Sequence, residues 1–154
     1  MDKELENFYG NRIRVRVCGL CWSEGRLLLV NHGGITDGDF WAPPGGGLEF
    51  GSSLSSNLER EFKEETGLHV KTGSFLFGCE FIQKPLHAIE LFYDVEVTGG
   101  KLTPGTDPEI QIIRDARFFT PAEILSLPPM YRHGIFRHGT TGQELRNLSG
   151  FYTI

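Results

Sequence analysis

Three cysteines, two methionines and two tryptophans are all this chain of 154 residues has of those types. Cys18, Cys21 and Cys79 cannot all pair, and Cys18-x-x-Cys21 has no second Cys or His pair at zinc-ligand spacing downstream. Lying in the apolar stretch VRVCGLCW, Cys18 and Cys21 read as buried thiols rather than a redox or metal site. Long apolar runs are missing too: Leu27 to Val30 is among the longest and is far too short to span a bilayer, so no membrane role is expected. Residues 1–10, MDKELENFYG, are acidic and polar, unlike a secretory signal, which places the chain in the cytoplasm and leaves the Asn147-Leu148-Ser149 sequon idle. Base is in deficit: 15 Lys and Arg against 20 Asp and Glu give a net charge of −5. That balance argues against sequence-independent grip on nucleic acid, which needs a field of cations to displace counterions. A small anionic ligand is not excluded, because a bound cation can reverse the local sign.

What is present is the composition of one soluble globular domain, 39% hydrophobic and 23% charged, expected to cover residues 1–154 without repeat or linker. Arg12 to Cys18 alternates charged and apolar residues as a half-buried strand does, and Arg26 to Val30 follows a Ser23-Glu24-Gly25 turn to complete a hairpin. Residues 31–51 form a long loop rich in glycine and interrupted by Pro43 and Pro44. Ser52 to Glu65 is compatible with a helix capped by Ser52 or Ser53 and left through Gly67. His69 to Ile82 and Leu86 to Val97 read as long strands, Ile110 to Phe119 as another, and Pro121 to Ile124 as a short helix. Beyond Met130 the pattern is weak, with a helical signal around Gln143 to Leu148. The fold class is α/β (α+β), a mixed sheet covered by a few helices.

The helix carries the chemical signal. At about 100° per residue from Glu61, the apolar Leu54, Leu58 and Phe62 fall near 20°, 60° and 100°, while Glu65 and Glu64 fall near 40° and −60°. These acids share or border the apolar stripe, whereas Glu59 and Lys63 lie on the far side as an expected solvated i,i+4 pair. Glu61 and Glu65 repel one another, and Arg60 neutralises only part of the cluster. A divalent cation is the natural remedy, since hard Mg²⁺ takes carboxylate oxygen and keeps open positions for phosphate.

Gly46, Ser52, Arg60-Glu61-Phe62, Glu64-Glu65 and Gly67-Leu68 stand at the spacing G-x5-S-x7-R-E-F-x-E-E-x-G-L. This resembles the box of the Nudix (MutT-like) hydrolase family, G-x5-E-x7-R-E-U-x-E-E-x-G-U with U apolar, and departs from it only at Ser52, where the family has glutamate. The lead-in Trp41-Ala42-Pro43-Pro44-Gly45-Gly46 is similar as well. The resemblance implies the Nudix fold, a mixed β-sheet sandwiched between helices, and metal-dependent hydrolysis of a nucleoside diphosphate linked to another group. It implies that Glu61, Glu64 and Glu65, with the Gly45 carbonyl, bind Mg²⁺ or Mn²⁺ and that Arg60 holds the carboxylates. A general base in a later loop corresponds best to Glu109, with Glu61, Glu64 or Glu65 as alternatives. Family members are often homodimers, which makes a second copy of the chain an expected partner besides a nucleotide.

Ser52 brings no charge to Arg60, so weaker metal binding or a lower rate is expected, unless Glu49 substitutes. Trp41, Phe40, Phe50, Phe77 and Tyr93 could stack a base, although strand aromatics are more often core, and His87 reads as structural. ADP-ribose and nucleotide sugars are favoured over nucleoside triphosphates. A nucleotide-sensing module that does not cleave is the alternative; a decapping enzyme is disfavoured by the acidic charge.

Overall fold

A computed structural model describes residues 3, 6–7, 10–33, 38–103 and 113–154. The chain begins with β1 (Arg12–Ser23) and β2 (Arg26–His32), joined by a hairpin turn whose central residues Glu24 and Gly25 both have positive φ, 52° and 75°. That geometry matches the twist of the strands it joins. The alternation in β1 is oriented by its surroundings: Ile13 and Val15 are exposed, while Arg14 and Arg16 turn inward. Farther along, Val17 to Cys21 is wholly buried, with Val17 and Cys21 on one face and Cys18 and Leu20 on the other.

The expected loop over residues 31–51 contains two short strands, β3 (Trp41–Ala42) and β4 (Gly45–Gly47), on either side of Pro43 and Pro44. Proline cannot donate to a ladder, but a strand of two or three residues can stop at it. β4 pairs antiparallel with β1, Val17 opposite Gly46, which places the glycines against the strand that carries Arg16. At Gly45 an added Cβ would meet Cys18 Cα and Sγ at 2.8 Å, so this approach needs glycine.

Helix α1 (Leu54–Thr66) opens on Ser53, whose hydroxyl accepts from Ser56 N at 3.1 Å, and closes on Gly67 at φ 76°. Its fully buried Leu58 and Phe62 pack on Val17, Cys21, Leu28 and Val95. The expected Glu59–Lys63 pair does not form. Glu59 Oε2 accepts instead from Thr72 N at 3.0 Å and Thr72 Oγ1 at 2.9 Å, because α1 packs over β5 and brings that backbone within reach.

β5 (Leu68–Gln83) and β6 (Leu86–Gly100) form a long antiparallel pair, and β6 runs parallel to β1 with Arg16 opposite Glu90. β7 (Ile113–Phe119) pairs with β2, and β8 (Phe151–Thr153) runs parallel to β5. The mixed sheet has the order β3-β2-β1-β6-β5-β8. Its second face is covered by α2 (Pro121–Ser126), two short 3-10 turns and α3 (Gly142–Arg146), whose Ile124, Ile135, Phe136 and Leu145 pack on Leu27, Leu29, Phe77 and Phe92. A mixed sheet between helices is therefore the architecture, as the sequence pattern suggests. Thr120–Glu123 and Thr141–Glu144 cap α2 and α3 reciprocally. Among the described residues no helix is long and apolar enough to cross a membrane. Cys18 and Cys21 are free and buried, as expected, and so is Cys79; burial pushes Cys21 up to about 11 and Cys18 and Cys79 higher still.

Candidate active site

The carboxylates of α1 meet the glycine loop at one point. Glu61, 6% exposed, lies against Gly46 so closely that a Cβ there would fall on its carboxyl carbon and stand 2.5 and 2.6 Å from its two oxygens. Asn57 ties the loop to the helix: Nδ2 donates to Gly47 O at 3.1 Å, and Oδ1 accepts from Glu49 N at 3.0 Å. Sequence reasoning passed over Asn57. Its place one turn before Glu61 was the only available signal.

Arg60 lies among four oxygen-bearing side chains. Its guanidinium is 3.4 Å from Glu61, 3.2 Å from Glu64, 3.3 Å from Glu49 and 3.2 Å from Asn57 Oδ1. Burial opposes its charge, and Glu61, Glu64 and Glu49 outweigh that and raise its pKa. Glu49 thus reaches the arginine, while the Ser52 hydroxyl donates to Ser53 O at 3.4 Å. Position 52 thus brings no carboxylate to Arg60, and Glu49, three residues earlier, does.

Glu65 is fully enclosed, whereas the Glu64 side chain is 32% exposed and directed to Arg60. Among the described residues no three His, Cys, Asp or Glu side chains are grouped as a ready-made metal cage. The donors fit a hard divalent cation in their chemistry, and the Gly46 cleft leaves the Glu61 carboxylate room that any side chain would fill. Glu109 lies outside the described residues.

Glu61 is the box acid that lines a cavity of about 370 Å³, within the range of small-molecule pockets. Gly45, Gly46 and Gly47 form its rim, Phe40 and Phe81 part of its apolar wall, and Arg14 and Arg16 its basic side. Of the five aromatics considered for stacking, Phe40 reaches this space. Trp41 and Phe77 belong to the core, Phe50 projects into solvent and Tyr93 packs edge-on to Phe75. His87, read from the sequence as structural, also lines the cavity, with Nε2 3.1 Å from Glu80 Oε2.

Deeper in the cavity is a group that sequence reasoning missed. Arg16 Nη1 donates to Glu90 Oε2 at 2.7 Å and Nη2 to Gly45 O at 3.3 Å, while His133 Nε2 is 2.7 Å from Glu90 Oε1. Ile135 N donates to His133 Nδ1 at 3.1 Å. A nitrogen accepting that bond carries no proton, so the hydrogen of this imidazole is on Nε2 and points at Glu90. Burial opposes ionisation of Glu90, but His133 and Arg16 outweigh it and hold the carboxyl at about 2.

His32 sits on the same wall, 5% exposed. Burial, reinforced by Arg16, lowers its pKa to about 3, so it stays neutral in the folded protein. In the unfolded chain it titrates near 6.5, and from there down to pH 3 the unfolded state binds one more proton, so stability falls as pH falls. Urea unfolding at pH 7 and pH 5 should differ by about 2 kcal/mol from this group alone, and His32→Gln should remove that difference. An unchanged difference in the variant would show that other groups carry the acid sensitivity.

Comparison with known proteins identifies the family and the fold. The family model "NUDIX domain" matches residues 10–137. An "ADP-ribose pyrophosphatase" of Methanocaldococcus jannaschii is 31% identical over 107 residues, 68% of this chain and 60% of the relative, so the chain spans less than two thirds of that protein. Among solved structures, a NUDIX hydrolase from Nitrosomonas europaea aligns with a TM-score of 0.66 at 20% identity over 78% of this chain and 84% of its own. A MutT protein from Methanosarcina mazei Go1 aligns at 0.64 and 23% identity over 82% and 89%. These two show the fold. With the family model spanning all the box residues, the chain belongs to the Nudix family.

Proposed function

We propose that the chain is a metal-dependent Nudix pyrophosphohydrolase that cleaves the diphosphate linkage of a nucleoside diphosphate derivative, ADP-ribose or a nucleotide sugar in preference to a nucleoside triphosphate. The observation that carries this reading is the Glu61 carboxylate seated against Gly46 at the mouth of the cavity. The name of the M. jannaschii relative supports the substrate class. Glu61, Glu64 and Glu65 with the Gly45 carbonyl would hold Mg²⁺ or Mn²⁺, and Arg60 would steady the carboxylates between turnovers by charge-assisted hydrogen bonds. Such a cation would supply positive charge for the diphosphate oxygens and would acidify an attacking water. Glu109, or one of the helix acids, would take the proton of that water as it adds to phosphorus and the bridging P–O bond breaks. The Gly45–Gly47 backbone admits the diphosphate closely, and Phe40 offers a face to the uncharged part of the substrate.

The test is phosphatase-coupled phosphate release from ADP-ribose, UDP-glucose, diadenosine polyphosphate, dGTP and dATP, with Mg²⁺, with Mn²⁺ and with a chelator. Metal-dependent turnover of ADP-ribose or UDP-glucose well above the others is expected. Ligand-induced thermal stabilisation without turnover of any compound would replace the enzyme by a sensor.

A further inference from the structure

Neither the box pattern nor core packing explains why Arg16, Glu90 and His133 are joined in the cavity wall. Burying an ion pair costs more desolvation than an apolar pair of similar volume would, so a charge pair kept at the floor of a cavity asks for a use. Arg16 is positioned from three directions: by the parallel register with β6 that sets Glu90 opposite it, by Glu90 Oε2 at 2.7 Å, and by Gly45 O at 3.3 Å. Glu90 is itself held by His133 at 2.7 Å, and His133 by Ile135 N, so the C-terminal segment fixes the far end of the chain of bonds. The guanidinium keeps its charge at any ordinary pH, so it is the permanent cation of the group and Glu90 the anion that orients it.

Arg14 also lines the cavity and faces the glycine loop at Gly47, whereas the two arginines of the C-terminal segment are placed differently. Arg132 Nη1 donates to the carbonyls of Ile124, Leu125 and Leu127, which makes it a clasp for the end of α2. Arg137 Nε donates to Gly134 O within its own turn. Arg16, by contrast, abuts Gly45 while Glu61 abuts Gly46, so a guanidinium and the box carboxylate flank consecutive residues of one loop. Its side chain is 17% exposed, and it lines the cavity. A rigid planar fork of this kind matches two oxygens of a phosphate, where an ammonium would offer only a point charge.

We propose that Arg16 binds phosphate oxygens of the substrate diphosphate beside the glycine loop, and that Glu90 and His133 are positioning residues that hold its fork there. The proposal rests on the hydrolase reading for the identity of the substrate, and its test uses inorganic pyrophosphate, which carries no nucleoside. Binding of pyrophosphate in the presence of Mn²⁺, measured by calorimetry, and binding of Mn²⁺ alone, measured by electron paramagnetic resonance, are compared for the intact protein, Arg16→Lys and Glu90→Gln. Arg16→Lys keeps a cation against Glu90 and should fold; thermal melts verify this. It should weaken pyrophosphate by at least about tenfold, the scale of a lost charge-assisted hydrogen bond, and leave Mn²⁺ alone unchanged. Glu90→Gln should weaken pyrophosphate by a smaller factor, since the amide still accepts one bond from Arg16.

Unchanged pyrophosphate binding in Arg16→Lys overturns the proposal, as does failure of the intact protein to bind pyrophosphate. Equal weakening of Mn²⁺ alone also overturns it, since Arg16 would then act only by holding Gly45. The hydrolase reading is judged separately: an intact protein that turns over no diphosphate but shows Arg16-dependent pyrophosphate binding keeps the phosphate site and loses the activity.

Discussion

Glu61→Gln is expected to lower kcat by about 10²–10⁴-fold, the several kcal/mol that a metal ion contributes to a phosphoryl-transfer transition state, while the protein stays folded. Glutamine has the shape of glutamate, so the contact with Gly46 and the packing at a position 6% exposed are kept. What is lost is charge: the proposed metal site would lose a donor, while Arg60 retains Glu64 and Glu49 as partners. Removing one member of the repelling Glu61–Glu65 pair should leave the melting temperature unchanged or slightly higher. Steady-state kinetics on the preferred substrate, Mn²⁺ titration and a thermal melt read the three quantities independently. A variant within about tenfold of the native rate would mean that Glu61 neither binds the metal nor serves as base, because loss of even one preorganised charge contact exceeds that.

The parts of this molecule that were legible from sequence are those written in local chemistry. Ser53 and Gly67 bound α1 because a hydroxyl and a left-handed residue have direct backbone consequences. Glu61 stands out because an acid on an apolar stripe violates the amphipathic rule, and Arg60 because it alone among the nearby cations falls among the acids. What was not legible depends on which face of a strand turns inward. Arg14 and Arg16 alternate with Ile13 and Val15, and hydropathy alone assigns the arginines to solvent; the structure reverses this, since the inner end of that face is a polar cavity. In Ala88-x-Glu90-x-Phe92, the single acid in an inward-facing row was the clue to the same cavity. His133 comes from a segment without periodicity, where two 3-10 turns and a five-residue helix leave little pattern to read. The helix signal over Gln143 to Leu148 resolves to Gly142–Arg146, shifted toward its Thr141 cap. Ser52 predicted weaker metal binding on local grounds, and the structure places the Glu49 carboxylate, from the preceding loop, 3.3 Å from Arg60.

Gly46→Ala is expected to lower kcat by about 10²-fold or more, the effect of displacing a reacting group by roughly 1 Å. Gly46 is not at positive φ, so alanine meets no backbone penalty there; the obstacle is the Glu61 carboxylate, whose oxygens would be 2.5 and 2.6 Å from the new methyl. Either the loop or the side chain must move, and the carboxylate, at the end of a flexible side chain beside the cavity, gives way at the lower cost. Gly51→Ala is the control with opposite causes, since its surroundings are open and its φ is +85°. It should cost about 1 kcal/mol or more of stability through backbone strain and leave kcat as it is. Shortening the acid separates steric displacement from general damage to the loop. Glu61→Asp withdraws the carboxylate by one methylene, so its penalty and that of Gly46→Ala should not add, and the double variant should be faster than the product of the two single effects predicts. Strict additivity in that cycle would mean that the glycine serves the diphosphate path or the metal directly and that its contact with Glu61 is incidental.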